Sequence, residues 1–319
     1  MNLIQKTLVK WGSDYDLIKN VSSICDVRLR QLPLIKGLKL DKDLLVFTDY
    51  NDTKYLIKCK NPFSKGTNGR VYETSLEKGQ TCVEKKIVVK RMPVRLYALR
   101  EALIQILAHQ ESNDCVAEVI YVFKTKHYLW IAMEDLRIPS EGAISAFSFH
   151  TWLHNVQHLH EKKNIASSIK DIVTRVVKLL NILDEKYAFK HGDLHLGNIY
   201  IHCSRTDIQR VILFDFGYSM IRENRNKAHS PSVYWKTRVE GADIAIFLWS
   251  LVTTDPFMRE ADNKLIHCIE QKLILANDED MKKIHDITEM YQRIQKADEN
   301  DMKPFSIKGI LQEVCSLVP

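Results

Sequence analysis

A chain of 319 residues with 45% apolar side chains is long enough to bury one large core or two modest ones. Charged residues make up 27% and aromatic ones 9%, with no proline-, glycine- or serine-rich tract and no internal repeat, so nothing in the composition argues for a long disordered tail. The formal net charge of +6 is mild and no basic run is interleaved with aromatics, so the balance suits acidic or phosphate-bearing partners and does not call for nucleic acid.

Residues 1–41 mix short apolar groups with charges and read as helical and irregular packing ahead of the domain proper. "DLLVFTDYNDTKYLIKC" then alternates apolar and polar residues on both sides of a turn-rich "DYNDT", the pattern of a hairpin. "RVYETS" and "KKIVVKRM" continue the sheet across a turn at "LEKGQ". The period then changes. "VRLYALREALIQILAHQ" places Leu96, Leu99, Leu103, Ile106 and Leu107 at helical spacing, and "VAEVIYVFKTKHYLWIAMEDL" returns to two strands joined at "KTKH".

From about Ser148 helices dominate. Ile169, Ile172, Val176, Leu179, Leu180 and Leu183 share one face of a long amphipathic helix that ends just before "HGDLHLGNIYI". "NIYIH" and "RVILFDF" form a second hairpin signal, and the residues from Gly241 to Pro319 alternate apolar helical stripes with charged loops. The expected fold class is therefore α+β: an extension over 1–41, a sheet-rich lobe with one main helix over 42–135, and a mainly helical lobe over 136–319, with a cleft between the lobes.

The longest apolar runs, such as "IAIFLWSLV", are too short to span a bilayer, and the first residues lack the apolar stretch of a secretion signal. Seven cysteines, odd in number and never in C-x-x-C spacing, fit a reducing compartment and argue against zinc. The expectation is a soluble, cytoplasmic protein without a membrane partner.

Several stretches carry chemistry. In "SKGTNGRVYE" two glycines between strands let backbone amides approach an anion, although such pairs are most often plain hairpin turns. Lys90 leaves the apolar "IVV", and Glu101 lies on the helix that follows. Asp193 and Asn198, held in one loop, place a carboxylate near a hydroxyl nucleophile and an amide oxygen near a divalent cation. Asp215, in "LFDFG" at the end of the second hairpin, adds a hard oxygen of the kind Mg²⁺ prefers beside phosphates.

Taken in order, these parts resemble the protein-kinase superfamily over roughly residues 55 to 260: a Gly-rich loop, a V-V-K strand, an acid-bearing helix, H-G-D-L-x-x-x-N and D-F-G. The resemblance implies a bilobal kinase fold binding ATP and Mg²⁺. It sets Gly66 and Gly69 as the second and third loop glycines, with Ser64 at the first and Val71 after them. Lys90 would hold the α and β phosphates and pair with Glu101; Asp193 would take the substrate proton; Asn198 and Asp215 would hold Mg²⁺. In "IAMEDL", Met133 would stand at the hinge entrance with the Glu134 to Leu136 backbone facing adenine. Asp243 resembles a buried acid that supports the catalytic loop.

The departures matter as well. Glu111 is the fallback partner for Lys90. Gly192 replaces the arginine that grips a phosphorylated activation loop, and no A-P-E motif follows Gly217, so control by Ser219, Ser230 or Ser232 is not expected. His195 stands where lysine is usual; its imidazole could meet the γ-phosphate, or it is a loop histidine bonded to backbone. His191 is expected to pack against Phe216 rather than react. The H-G-D-L-H-x-G-N form also resembles aminoglycoside and choline phosphotransferases and haspin-type kinases. The leading expectation is a compact, divergent serine/threonine protein kinase of a virus or intracellular pathogen, with ATP and a protein substrate as partners. A small-molecule kinase and a pseudokinase scaffold are the alternatives.

Overall fold

Strands and one long helix make up most of the described part of the first half of the chain. The computed structural model describes residues 39–41, 44–48, 53–58, 62–66, 69–78, 81–94, 96–112, 114–125, 127–159, 165–187, 189–204, 207–221, 242–252 and 254. Among these, Lys39–Asp41 (β1), Leu44–Thr48 (β2), Thr53–Lys58 (β3), Ser64–Gly66 (β4), Gly69–Lys78 (β5), Thr81–Pro93 (β6), Val119–Lys124 (β7) and Tyr128–Glu134 (β8) form one antiparallel sheet. Its order is β1-β2-β3-β5-β6-β8-β7, with β4 paired to β5. The sheet thus begins at Lys39, inside the expected extension 1–41.

Side chains on a strand alternate between faces, and paired residues share one. Tyr72 pairs with Val89 and Val89 with Ala132, so these three lie on the same face. With Ile87, Tyr121, Phe123 and Trp130 they make a buried cluster. Inside it the Phe123 and Trp130 rings stack 4° from parallel with centroids 5.8 Å apart. The opposite parity gives the other face: Val71 pairs with Lys90 and Lys90 with Ile131, while Glu73, Val88 and Met133 form the next row.

Helix α1 (Leu96–Glu111) follows β6 and is buried at every position from Ala98 to Ala108, more completely than its apolar stripe requires. Its polar groups therefore need partners. Gln105 Nε2 donates to Ala117 O at 2.9 Å, and His109 Nδ1 lies 2.8 Å from Val116 O, which fastens the helix to the segment entering β7.

The chain divides into two compact units between Ile138 and Pro139. In the second, Ser145–Ser148 (β9), Ile199–Cys203 (β10) and Ile208–Leu213 (β11) form a three-stranded antiparallel sheet in the order β11-β10-β9. Around it lie Phe149–Leu159 (α2), Ile165–Tyr187 (α3) and Ala242–Val252 (α4). The stripe of α3, from Ile165 through Ile172, Val176 and Leu183, is buried, and this helix packs on β11. Phe149 of α2 meets Phe247 of α4 with ring centroids 6.4 Å apart.

The fold is thus mixed α+β, with antiparallel sheets and a few helices. Among the described residues no helix is long and apolar enough to cross a membrane. The packing expected for residues 1–38 and the helical stripes expected beyond residue 254 lie outside the described residues.

Because Phe123 is fully buried and stacked on Trp130, Phe123→Ala should destabilise the first unit by about 3–5 kcal/mol. Urea unfolding followed by tryptophan fluorescence would register it; a loss below about 1 kcal/mol would mean that this cluster is not the core of the unit.

Candidate active site

The first unit gathers one set of the expected residues on the Lys90 face of its sheet. Ser64 pairs with Val71 and Gly66 with Gly69, so the two glycines close the β4–β5 hairpin. Gly69 cannot carry a side chain without movement: a Cβ there would lie 2.7 Å from Arg91 O and 2.8 Å from Met92 Cγ. Val71 and Lys90 are direct neighbours across β5 and β6, and Val88 beside Lys90 is paired with Met133 on β8.

Lys90 Nζ donates to Glu101 Oε1 at 2.6 Å, and both side chains are almost wholly buried. Strand β6 points Lys90 to the face opposite the aromatic cluster, and the helix that follows brings Glu101 to meet it. Glu111 at the helix end is not the residue in contact. Removing either partner of such a pair strands a buried charge, which costs about 3–5 kcal/mol.

Strand β8 ends at Glu134, and Asp135 and Leu136 follow it. The Glu134 N–H is committed to Glu118 O at 3.0 Å, so its amide is not what this stretch offers a ligand. Asp135 and Leu136 are buried. Arg137 was not anticipated. It grips both oxygens of Asp135 and also reaches Glu73 Oε1 at 3.0 Å.

The second unit holds the loop "HGDLHLGN" by one carboxylate. Asp243, in the first turn of α4, accepts the His191 N–H at 2.6 Å on Oδ2 and the Gly192 N–H at 2.8 Å on Oδ1. Two adjacent amides can face one carboxylate because Gly192 takes φ of +85°, a conformation that side chains disfavour. The loop then turns so that Asn198 Nδ2 donates to Asp193 O at 2.7 Å and lies 3.3 Å from Asp193 Oδ2. With its nitrogen so placed, the Asn198 amide has its oxygen as the atom suited to a cation.

Asp215 is tied to this loop through its neighbour. Phe214 N–H donates to Asn198 O at 3.2 Å, and His191 Nε2 lies 3.2 Å from Phe214 O. Asp215 is the only non-glycine residue with positive φ among the described residues, at 59°. That backbone costs about 1–2 kcal/mol for most L-residues and less for Asp, and strain of this kind gathers at functional sites. Beyond it, Lys190 and Met220 exchange backbone hydrogen bonds at 2.8 Å, and Ser219 Oγ donates to His191 O at 2.8 Å. Ser219 is therefore buried and bonded, while Ser230 and Ser232 lie outside the described residues.

The two histidines differ in station. His191 is fully buried, its ring 5.2 Å from that of Phe216. Because Phe214 O can only accept, the proton sits on Nε2, and Nδ1 faces the Asp193 N–H at 3.4 Å. Burial lowers its pKa against the pull of Asp243, Asp193 and Asp215, so the ring is neutral. His195 is half-exposed. Its Nδ1 accepts the Gly197 N–H at 2.9 Å, which puts its proton on Nε2, 3.9 Å from Asp193 Oδ2. Gly197 makes room for that ring, since a Cβ would sit 2.7 Å from His195 Cε1.

Within the second unit the loop and the β11 exit thus offer two acids and an amide oxygen; the first unit, by itself, offers a buried lysine–glutamate pair. Hard oxygen donors of this kind fit Mg²⁺, which keeps several waters and takes only one or two carboxylates beside phosphates.

Three outcomes follow from this geometry. Asp243→Ala leaves two buried amides without acceptors and should cost about 3 kcal/mol or more in urea unfolding, with Asp243→Asn milder because one acceptor oxygen remains. The unfolded chain protonates His191 near its ordinary value whereas the fold resists it, so stability is full above that value and declines as pH falls through it. In His191→Gln that acid-side decline should shrink; an unchanged pH profile would place the linkage elsewhere. Gly197→Ala should displace the His195 ring, seen as loss of its Nδ1 acceptor signature in imidazole ¹⁵N spectra.

No family model matches the chain, and no curated protein matches it.

Proposed function

We propose that the chain is an ATP- and Mg²⁺-dependent phosphotransferase, a serine/threonine protein kinase in which the two units are the lobes of a bilobal kinase-like fold. The observation that carries this reading is the laced loop. Asp193 and Asn198 are held in one turn whose backbone hangs on Asp243, and the same turn bonds both sides of Phe214, the residue before Asp215. Phosphoryl transfer needs such pre-set oxygens more than it needs covalent chemistry.

In this reading Lys90, held straight by Glu101, steadies the α and β phosphates, while the Gly66–Gly69 hairpin covers them with backbone. Val71, Met133 and Leu136 would line the adenine, with Ser64 at the hairpin's outer end. Asp193 takes the proton of the acceptor hydroxyl as its oxygen bonds to the γ-phosphorus. The bond from that phosphorus to the bridging oxygen breaks, and ADP leaves. Asn198 and Asp215 would hold Mg²⁺, which supplies charge neutralisation on the phosphates. His195 Nε2, 3.9 Å from Asp193 Oδ2, would stand beside the base without a direct hydrogen bond to it.

A second acceptor class has one observation in its favour. Gly192, at φ +85°, stands where protein kinases commonly carry arginine, and that backbone disfavours any side chain. With that glycine, the H-G-D-L-H-x-G-N form of the loop resembles those of aminoglycoside and choline phosphotransferases, which act on small hydroxyl compounds.

Asp193→Ala should lower kcat by 10³-fold or more while Mg²⁺-ATP still binds, and Asp215→Ala should weaken Mg²⁺-dependent nucleotide binding as well. Calorimetric titration with Mg²⁺-ATP beside steady-state turnover separates the two. Near-normal turnover in Asp193→Ala would remove it from the role of base.

A further inference from the structure

Arg137 makes a set of contacts that the mechanism above does not use. Its Nε and a terminal nitrogen donate to the two oxygens of Asp135 at 2.9 and 2.8 Å, and its own backbone N–H donates to Asp135 Oδ1 at 3.1 Å. Asp135 is buried, so this fork fixes the plane of the guanidinium. The remaining edge reaches Glu73 Oε1 at 3.0 Å, and the plane lies over the Phe63 ring with Cζ 4.1 Å from its centroid.

These partners flank the glycine hairpin on both sides. Phe63 immediately precedes β4 and donates its N–H to Val71 O at 3.1 Å, extending the β4–β5 pairing. Glu73 lies on β5 two residues past Val71, on the same face as Lys90. Arg137 itself follows Leu136, at the end of the stretch leaving β8. One side chain, anchored on buried Asp135, thus fastens the exit from β8 to both strands of the hairpin. The Glu73 bridge is exposed, with side chains 37% and 57% accessible, and would contribute little as an isolated ion pair. Fixed by Asp135 and with Cζ set over the Phe63 ring, the guanidinium loses little freedom in making it.

We propose that Arg137 is a positioning residue that presets the Gly66–Gly69 hairpin for nucleotide, so that Mg²⁺-ATP meets an ordered cover rather than having to order one. This rests on the nucleotide-binding reading of the same face. Preorganisation of this kind acts on affinity and leaves the chemical step alone.

The test is calorimetric titration of the full chain with Mg²⁺-ATP, with steady-state KM and kcat beside it. Arg137→Ala should weaken binding and raise KM for ATP about five- to tenfold, with kcat changed less than about twofold. Arg137→Lys, which cannot make the fork, should not rescue. Because Arg137→Ala leaves Asp135 buried without its partner, Glu73→Gln and Phe63→Leu serve as milder variants that keep the fold. Each should weaken binding about two- to threefold, and neither should add its full effect to that of Arg137→Ala. Wild-type affinity in Glu73→Gln and Phe63→Leu, with the native protein binding nucleotide normally, would overturn the role of Arg137 alone. No binding of Mg²⁺-ATP by the native protein would overturn the nucleotide reading itself, and this inference with it.

Discussion

The Asp243 carboxylate is the constraint on which the candidate site depends. A loop that turns twice within eight residues exposes backbone amides that no ladder can satisfy, and a buried amide without an acceptor is unfavourable. Asp243 answers two of them at once, from a helix far along the chain. With His191 and Gly192 fixed, the His191 ring can reach Phe214 O, Ser219 can reach His191 O, and the segment around Asp215 is held against the loop. The left-handed backbone of Asp215 persists because bonds on either side of it over-determine its place.

The first unit solves a different problem with a sheet. Its two faces are separated by parity alone: Ile87, Val89 and Arg91 point one way along β6, Val88, Lys90 and Met92 the other. One face is closed by stacked aromatics, and the other carries a lysine into a buried place. Such a charge is tolerable only with a partner, and α1 supplies it in Glu101 at the cost of burying a second charge. The aromatic cluster packs the opposite face of the lysine's strand. On the proposed reading, a lysine set on a strand packed from behind and paired with Glu101 is suited to hold phosphates.

Much of this was legible in the sequence, for physical reasons. The first hairpin follows from alternation around "DYNDT", the β7–β8 hairpin from the turn "KTKH" between two apolar runs, and α3 from its apolar stripe. The Lys90–Glu101 contact followed from the order of motifs, although Glu111 was an alternative that only packing could reject. Strand β9 was not legible: "SAFS" has no apolar alternation, and its partner β10 lies far along the chain. The depth of α1 was also hidden, since the apolar stripe accounts for one face of the helix and not for the burial of Arg100 and Gln105. Arg137 carried no motif at all. Its meaning lies in Phe63 and Glu73, which are remote in sequence and adjacent in space. The need for glycine at 197 likewise comes from the ring of His195 two residues away, a contact that a sequence string does not display.

The central claim is that this constellation moves the γ-phosphate of ATP. The most direct measurement is transfer of labelled γ-phosphate from Mg²⁺-ATP by the purified protein, offered a protein mixture and a panel of small hydroxyl compounds side by side. The account predicts label on protein serine or threonine. Label confined to a small molecule would move the acceptor to the other class. Binding of Mg²⁺-ATP with no transfer to any acceptor would contradict the account and leave a nucleotide-binding scaffold in its place.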